Sequence, residues 1–289
     1  MTTRPAHHEV LDAWLSLQRA RNFSPKTLGR RLTSFRSFER FHAPNHVFDA
    51  TADSCAEWLS TFTSPATRHA YRSDMSQLLL WALKRGLVKA NPFDEVGAIR
   101  VPTCLPRPLP AAELTLVIDT AESIGGAYGL MLLLGALAGF RNAEIAALCW
   151  EDINAAEGLL VVRNGKGGKD RVVPLHPRLQ ALLGTPKAAG PVLLDINGKP
   201  FTSSSVGLAI ATAFKFLNIK ATPHQLRHSF GTELAKVCNG DLLLVASVMG
   251  HGNVAPRWGM RPLQVVEPNS SSGRCGSRPP RRPLSRGRG

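Results

Sequence analysis

The stretch "TPHQLRHSFGT", residues 222–232, sets His224 and Arg227 three positions apart. The apolar pattern around it predicts a helix over 223–237. On a helix that spacing brings both side chains to one face. A guanidinium binds the non-bridging oxygens of a phosphate through paired hydrogen bonds. A histidine beside it moves protons near neutral pH. His228, four residues after His224, makes a zinc spacing as well, but no third ligand is evident in the sequence.

Three further positions fit the same chemistry. Arg141 follows an apolar run in "AGFRNAEIAAL", with Glu144 three residues on. Lys166 tops a glycine-rich turn in "NGKGGKDRVVPL", between the β-rich segments "LLVVR" (159–163) and "RVVPL" (171–175). His251 stands in "VMGHGN", just past a helix end. Two Arg, one Lys and two His together would stabilise the charge that grows in a pentacoordinate phosphoryl transition state, and the Lys would protonate a leaving alkoxide. Each residue alone has a plainer reading. Arg141 can simply pair with Glu144, Lys166 can be a turn lysine, and His251 can cap a helix. The joint occurrence carries the functional reading. No carboxylate cluster suggests a metal, so the charge work falls to the cations.

The rest of the chain agrees with a nucleic-acid partner. It has 289 residues, 44% hydrophobic, with a net charge of +14 and a pI near 10.3. Such a balance favours a polyanion. Residues 257–289 hold eight Arg and one Glu, so the remaining residues still carry half of the excess. The five cysteines (55, 104, 149, 238 and 275) are scattered, with no CxxC pair, which points to reduced thiols. The N-terminal "MTTRPAHHEV" lacks a secretory h-region, and the apolar run from Tyr128 to Phe140 is too short for a bilayer. A soluble cytoplasmic protein is expected, with no membrane partner.

Residues 1–98 read as all-helical. Helices are predicted at 8–20, from Ser24-Pro25, around Glu57-Trp58-Leu59, and from Ser64-Pro65 to near Gly86. Ser-Pro at a helix start pairs an N-cap with proline at the first helical position. The second helix spaces Leu28, Leu32, Phe35, Phe38 and Phe41 along one face, and puts Lys26, Arg30, Arg31, Arg36 and Arg40 on the others. Lys26, Arg30, Arg68 and Arg72 are the candidate DNA-binding residues there, a solvated basic face being the plainer alternative. Residues 99–110, with four prolines, form the expected linker. From 111 to 256 the pattern mixes α and β: helices at 111–121, 126–139, 178–183, 203–217, 223–237 and 241–249, the hairpin around Lys166, and a short strand at 192–195. Residues 257–289 are expected to be a disordered basic tail. The fold class is thus two-domain: an all-α N-terminal domain and a mixed, mainly helical α+β domain.

With these residues in this order, the chain resembles the tyrosine recombinase, or phage integrase, family, from 107 to about 254 above all. On that resemblance the family's first catalytic Arg falls on Arg141, with its acidic supporter at Glu144. Its hairpin Lys falls on Lys166, its His-x-x-Arg on His224 and Arg227, and its late His on His251. The resemblance implies a helical core-binding domain and a catalytic domain closing on double-stranded DNA. It also implies strand exchange through a covalent phosphotyrosine, no metal or nucleotide cofactor, and a homo-oligomer on DNA. The family's nucleophile is a Tyr nine residues after the late His, and here that position is Met260. The chain's two tyrosines, Tyr71 and Tyr128, both precede Arg141. Trp258 and Met260 have single codons. Read one base out of frame from codon 255, the codons allow Thr-Thr-Met-Gly-Tyr-Ala, with the tyrosine at position 260. A lost base near codon 255 is therefore expected, with the basic tail as its out-of-frame product. The alternative is a non-enzymatic protein that occupies recombination sites.

Overall fold

A computed structural model describes residues 6–102, 105, 107–163, 170–185 and 187–250. The chain falls into two compact units, Met1–Cys104 and Leu105–Gly289.

The first unit is helical: α1 (His7–Ala20), α2 (Pro25–His42), α3 (Ala52–Ser60), α4 (Pro65–Leu83) and a single turn, α5 (Phe93–Val96). The two Ser-Pro starts work as their chemistry requires. Ser24 Oγ accepts from the Thr27 N–H at 3.2 Å, and Ser64 Oγ from the Thr67 N–H at 3.4 Å. The core interleaves aromatic and aliphatic side chains from every helix, with Trp14, Phe35, Phe38, Trp58 and Phe93 fully buried. Phe41 lies at the edge, 37% exposed, because α2 turns it away from this core.

Arg31 departs from its expected place on the outer basic face. It is buried, and its guanidinium lies over the rings of Phe23 (4.2 Å) and Trp14 (5.4 Å) and bonds Gln18. Asp74 of α4 reaches in beside it, 3.6 Å from its Nε, and also pairs with Arg30 at 3.0 Å and accepts from the Ser34 hydroxyl at 2.9 Å. A buried charge persists only with such partners, and here they come from a distant helix.

The second unit is built on α7 (Gly126–Leu137), whose residues from Leu130 to Ala136 are all buried. Packed on it are α6 (Ala111–Ile124), α9 (Pro177–Leu183), α10 (Ser203–Phe216) and α11 (Pro223–Val237). The short α8 (Asn142–Ala147) follows α7, and α12 (Leu242–Met249) follows α11. One three-stranded antiparallel sheet, in the order β1 (Ile153–Asn154), β2 (Leu159–Val162), β3 (Arg171–Pro174), completes the unit. Val162 pairs with Arg171, and Leu160 with Val173, so these four face the core together. Mainly helical with a small sheet, this is the fold class that the sequence predicts.

Two details differ from expectation. Residues 192–195 form no named strand. They make only an isolated bridge, Leu194 to Pro200, beside a second, Cys149 to Pro191. The Pro-rich segment is also not linker throughout. Leu109 is buried in the second core, and its N–H donates to the Ser229 hydroxyl of α11 at 2.8 Å. No described helix is long and apolar enough to cross a membrane.

The exit from α7 decides where the next residues go. Gly139 sits at φ +64°, and the Phe140 N–H returns to the Leu134 carbonyl at 3.1 Å, closing the helix end. A Cβ at Gly139 would lie 2.3 Å from the Phe230 ring. Gly139→Ala therefore combines a disfavoured backbone with an overpacked core. It is expected to destabilise the protein by about 2–3 kcal/mol in urea unfolding, with Arg141 displaced. A change of a few tenths would contradict this account of the turn.

Candidate functional site: a guanidinium cluster on one buried carboxylate

The left-handed turn at Gly139 buries Phe140 and delivers Arg141 to the N-cap of α8. Glu144, at the third position of that helix, reaches back. Its Oε2 accepts the Arg141 N–H at 2.8 Å, and its Oε1 accepts from Arg141 Nη1 at 2.6 Å. An acid in the first turn also answers the positive end of the helix.

A third residue joins them. Arg171 opens β3 on its inward face, with its side chain 5% exposed. Its Nη1 and Nη2 donate to the two oxygens of Glu144 at 2.9 and 2.7 Å, a paired fork-to-fork contact. Arg227 comes from α11, equally buried, with Nη1 3.9 Å from Glu144 Oε2. Its Nη1 donates to the Gly139 carbonyl and its Nη2 to the Met249 carbonyl. Both acceptors lie at helix ends, where unpaired carbonyls favour a cation.

One carboxylate thus lies within 4 Å of three guanidinium groups, and the four residues together carry two positive charges in excess. Burial pushes the Arg227 guanidinium down to about 10, and the like charges of Arg141 and Arg171 add to this. Burial also works to raise Glu144. The hydrogen bonds from Arg171 and from the Arg141 backbone outweigh it and hold Glu144 at about 2. Arg141 commits one nitrogen, Nη1, to Glu144 and keeps a quarter of its side chain exposed. That geometry presents donors to an incoming anion over a buried, positively charged floor.

His224 lies on α11 one turn before Arg227, exposed, with its ring 4.6 Å from that of His228 in an edge-to-face arrangement. Arg141, Glu144, His224 and Arg227 therefore sit on the ends of α8 and α11 as their spacing suggests. Lys166, His251 and Met260 lie outside the described residues, as does the 257–289 tail. Among the described residues no group of three His, Cys, Asp or Glu is placed to hold a metal. Tyr71 packs in the first unit against Trp58 and Phe62. Tyr128 is in the first turn of α7, beside Phe201 at 5.9 Å. Nine residues of helix, about 13 Å, separate it from the end of α7 that leads to Arg141.

Of the four basic candidates in the first unit, Lys26 is exposed. The other three are tied to their own unit. Arg30 pairs with Asp74 and donates to the Ala70 carbonyl, Arg68 to the Phe62 carbonyl at 2.6 Å, and Arg72 to the Phe93 carbonyl at 2.7 Å. Arg171 is the residue that the motif reading passed over. Its signal was the strand alternation: if Val173 faces inward, so does Arg171.

The cation cluster joins the α7–α8 turn, β3 and α11, and comparison with known proteins gives the family. The phage integrase family model matches residues 108–256, and the chain belongs to that family. It is 31% identical to tyrosine recombinase XerC of Pseudomonas aeruginosa over 232 residues, 76% of this chain and 72% of the relative. It is 32% identical to tyrosine recombinase XerA of Pyrococcus horikoshii over 164 residues, a match that spans 56% of that relative's length and 54% of this chain. In fold it resembles a lambda integrase dimer bound to a COC' core site (TM-score 0.69, 20% identity, 85% of this chain and 74% of that one). A lambda integrase tetramer bound to a Holliday junction is equally similar (TM-score 0.69, 21% identity, 89% and 80%).

The Glu144 shift has a consequence for acid stability. Its folded value lies below the unfolded 4.5, so its contribution is complete above pH 4.5 and is lost as pH falls toward 2. The size is on the order of 3 kcal/mol. Glu144→Gln should lower stability at pH 7 and flatten its fall between pH 4.5 and 2, measured by thermal melts against the unaltered chain. Parallel acid profiles for the two would refute the assignment.

Proposed function

We propose that this chain is a DNA-binding member of the site-specific recombinase family that grips duplex DNA and polarises one phosphodiester without forming a covalent bond to it. The observation that carries this reading is the set of three guanidinium groups around one buried carboxylate, which leaves a positive excess for one anion. Arg141 and Arg227 take the non-bridging oxygens, Glu144 supports them, and His224 hydrogen-bonds the same phosphate. Lys166 and His251 complete the set of donors that the family resemblance gives to that phosphate. Side chains do all of the charge work, so no metal or nucleotide is required.

The phosphotyrosine chemistry that the family resemblance implies needs a tyrosine oxygen to displace the leaving strand. Met260 stands at the position that the family resemblance gives to that tyrosine. A thioether has no proton to give up and no oxygen to attack with, so the covalent step has no nucleophile. The first unit, with Lys26 exposed on α2, adds backbone contacts that are independent of base sequence. The lambda integrase dimer on a COC' core site and the tetramer on a Holliday junction support assembly of several copies on DNA. The protein acts in the cytoplasm, on the nucleoid.

A fluorescent duplex and a nicked version of it separate binding from chemistry. The chain should bind the duplex with an affinity that falls steeply with salt. Arg141→Ala should weaken binding about tenfold. No SDS-resistant protein–DNA adduct should form on the nicked duplex. An adduct from the unaltered chain would overturn the binding-only reading, and absence of any DNA binding would overturn the DNA reading itself.

A further inference from the structure

We propose that Arg171 is the positioning residue of this cluster: by taking both oxygens of Glu144 it holds Arg141 to a single side-chain hydrogen bond on that carboxylate, and so keeps the rest of the Arg141 guanidinium available to a phosphate. The inference deepens the DNA reading and rests on it for its binding test alone.

Three observations carry it. The first is the pairing. Both terminal nitrogens of Arg171 are spent on Glu144, at 2.9 and 2.7 Å, whereas Arg141 gives the same carboxylate only Nη1 from its side chain. The second is location. The Arg171 side chain is almost wholly enclosed, with a buried Nε that has no hydrogen-bond partner. A residue so enclosed does not itself meet DNA, so its effect on a phosphate passes through Glu144. The third is the packing that fixes it. Its guanidinium carbon lies 5.8 Å from the centre of the Phe140 ring, one residue before Arg141. Its Cδ stands where a Cβ on Gly250 would come within 2.9 Å, at the left-handed end of α12 and one residue before His251. Arg171 therefore sets the carboxylate and abuts both the residue before Arg141 and the end of α12.

The charges facing Glu144 are Arg141 from the α8 start, Arg171 from β3 and Arg227 from α11. Among the described residues, removing Arg171 leaves Arg141 as the nearest cation to the buried carboxylate, and its guanidinium can take both oxygens only by turning further inward, away from solvent. Protonating Glu144 or making it neutral would release Arg141 again. A residue that merely filled space would show no such dependence.

The test uses the full chain with Arg171→Met, Arg171→Lys and the double change Glu144→Gln/Arg171→Met. Arg171→Met should lower duplex affinity tenfold or more at pH 7.5. The double variant should return to within about threefold of the unaltered chain, and Arg171→Lys should fall between. Thermal melts give a second readout that needs no DNA. With its pair gone, Glu144 takes up a proton more readily, so the stability lost in Arg171→Met should be smaller at pH 5 than at pH 7.5, and the double variant should show no such pH dependence. A double variant that binds no better than Arg171→Met, or a stability loss equal at both pH values, overturns the proposal. If the unaltered chain binds no duplex, the DNA reading fails and the melts still decide the role of Arg171.

Discussion

Glu144 is the one negative charge on which the second unit's site depends. It meets Arg141 twice, through backbone and side chain, Arg171 twice, and Arg227 at longer range. Taking any of these ions out of water costs several kcal/mol, and a single lost partner leaves a buried charge uncompensated. The cluster is therefore stable only as a set. Yet one acid cannot neutralise three guanidinium groups. The fold leaves Arg227, and in part Arg141, held by neutral carbonyls and open donors instead of by further carboxylates. A site built for stability alone would have supplied more acid.

The way the chain reaches Glu144 follows from local rules. Gly139 ends α7 in a conformation that a side chain would oppose, so Arg141 begins α8 and Glu144 falls at that helix's third position. Arg227 then closes the arrangement, because its two carbonyl partners, Gly139 and Met249, terminate α7 and α12. A helix end, a turn and a strand start are thus joined through one charged group each.

What was legible in the sequence is what local spacing encodes. His224 and Arg227 share a helix face because three residues separate them, and α11 begins at Pro223 and ends at Val237 as its apolar pattern requires. The helix from Ser24-Pro25 and the one from Ser64-Pro65 start where their caps put them. What was not legible depends on distant partners. Strand alternation turns Arg171 inward with Val173, but nothing local points to Glu144, 27 residues away, as its partner. Arg31 reads as part of a solvated basic face, and Asp74 of α4 gives it a buried place instead. In both cases only the long-range fold supplies the counter-charge that permits burial. The segment at 192–195 failed differently. Its apolar residues suit a strand, but it pairs by single bridges and not through a ladder.

The elements that hold a phosphate are separable from those that would attack it. The guanidinium cluster is assembled by α7, α8, β3, α11 and the end of α12, all of them parts of one hydrophobic core. The position that the family resemblance gives to the nucleophile, Met260, falls later in the sequence and outside the described residues. Tyr71 belongs to the first unit's aromatic core, and Tyr128 lies in the first turn of α7, at the other end of that helix from the turn that leads to Arg141. In a recombinase the cation cluster lowers the barrier for a nucleophile. On the proposed reading the same electrostatic preorganisation serves binding alone, because donors aimed at a phosphate attract its ground state as well as its transition state.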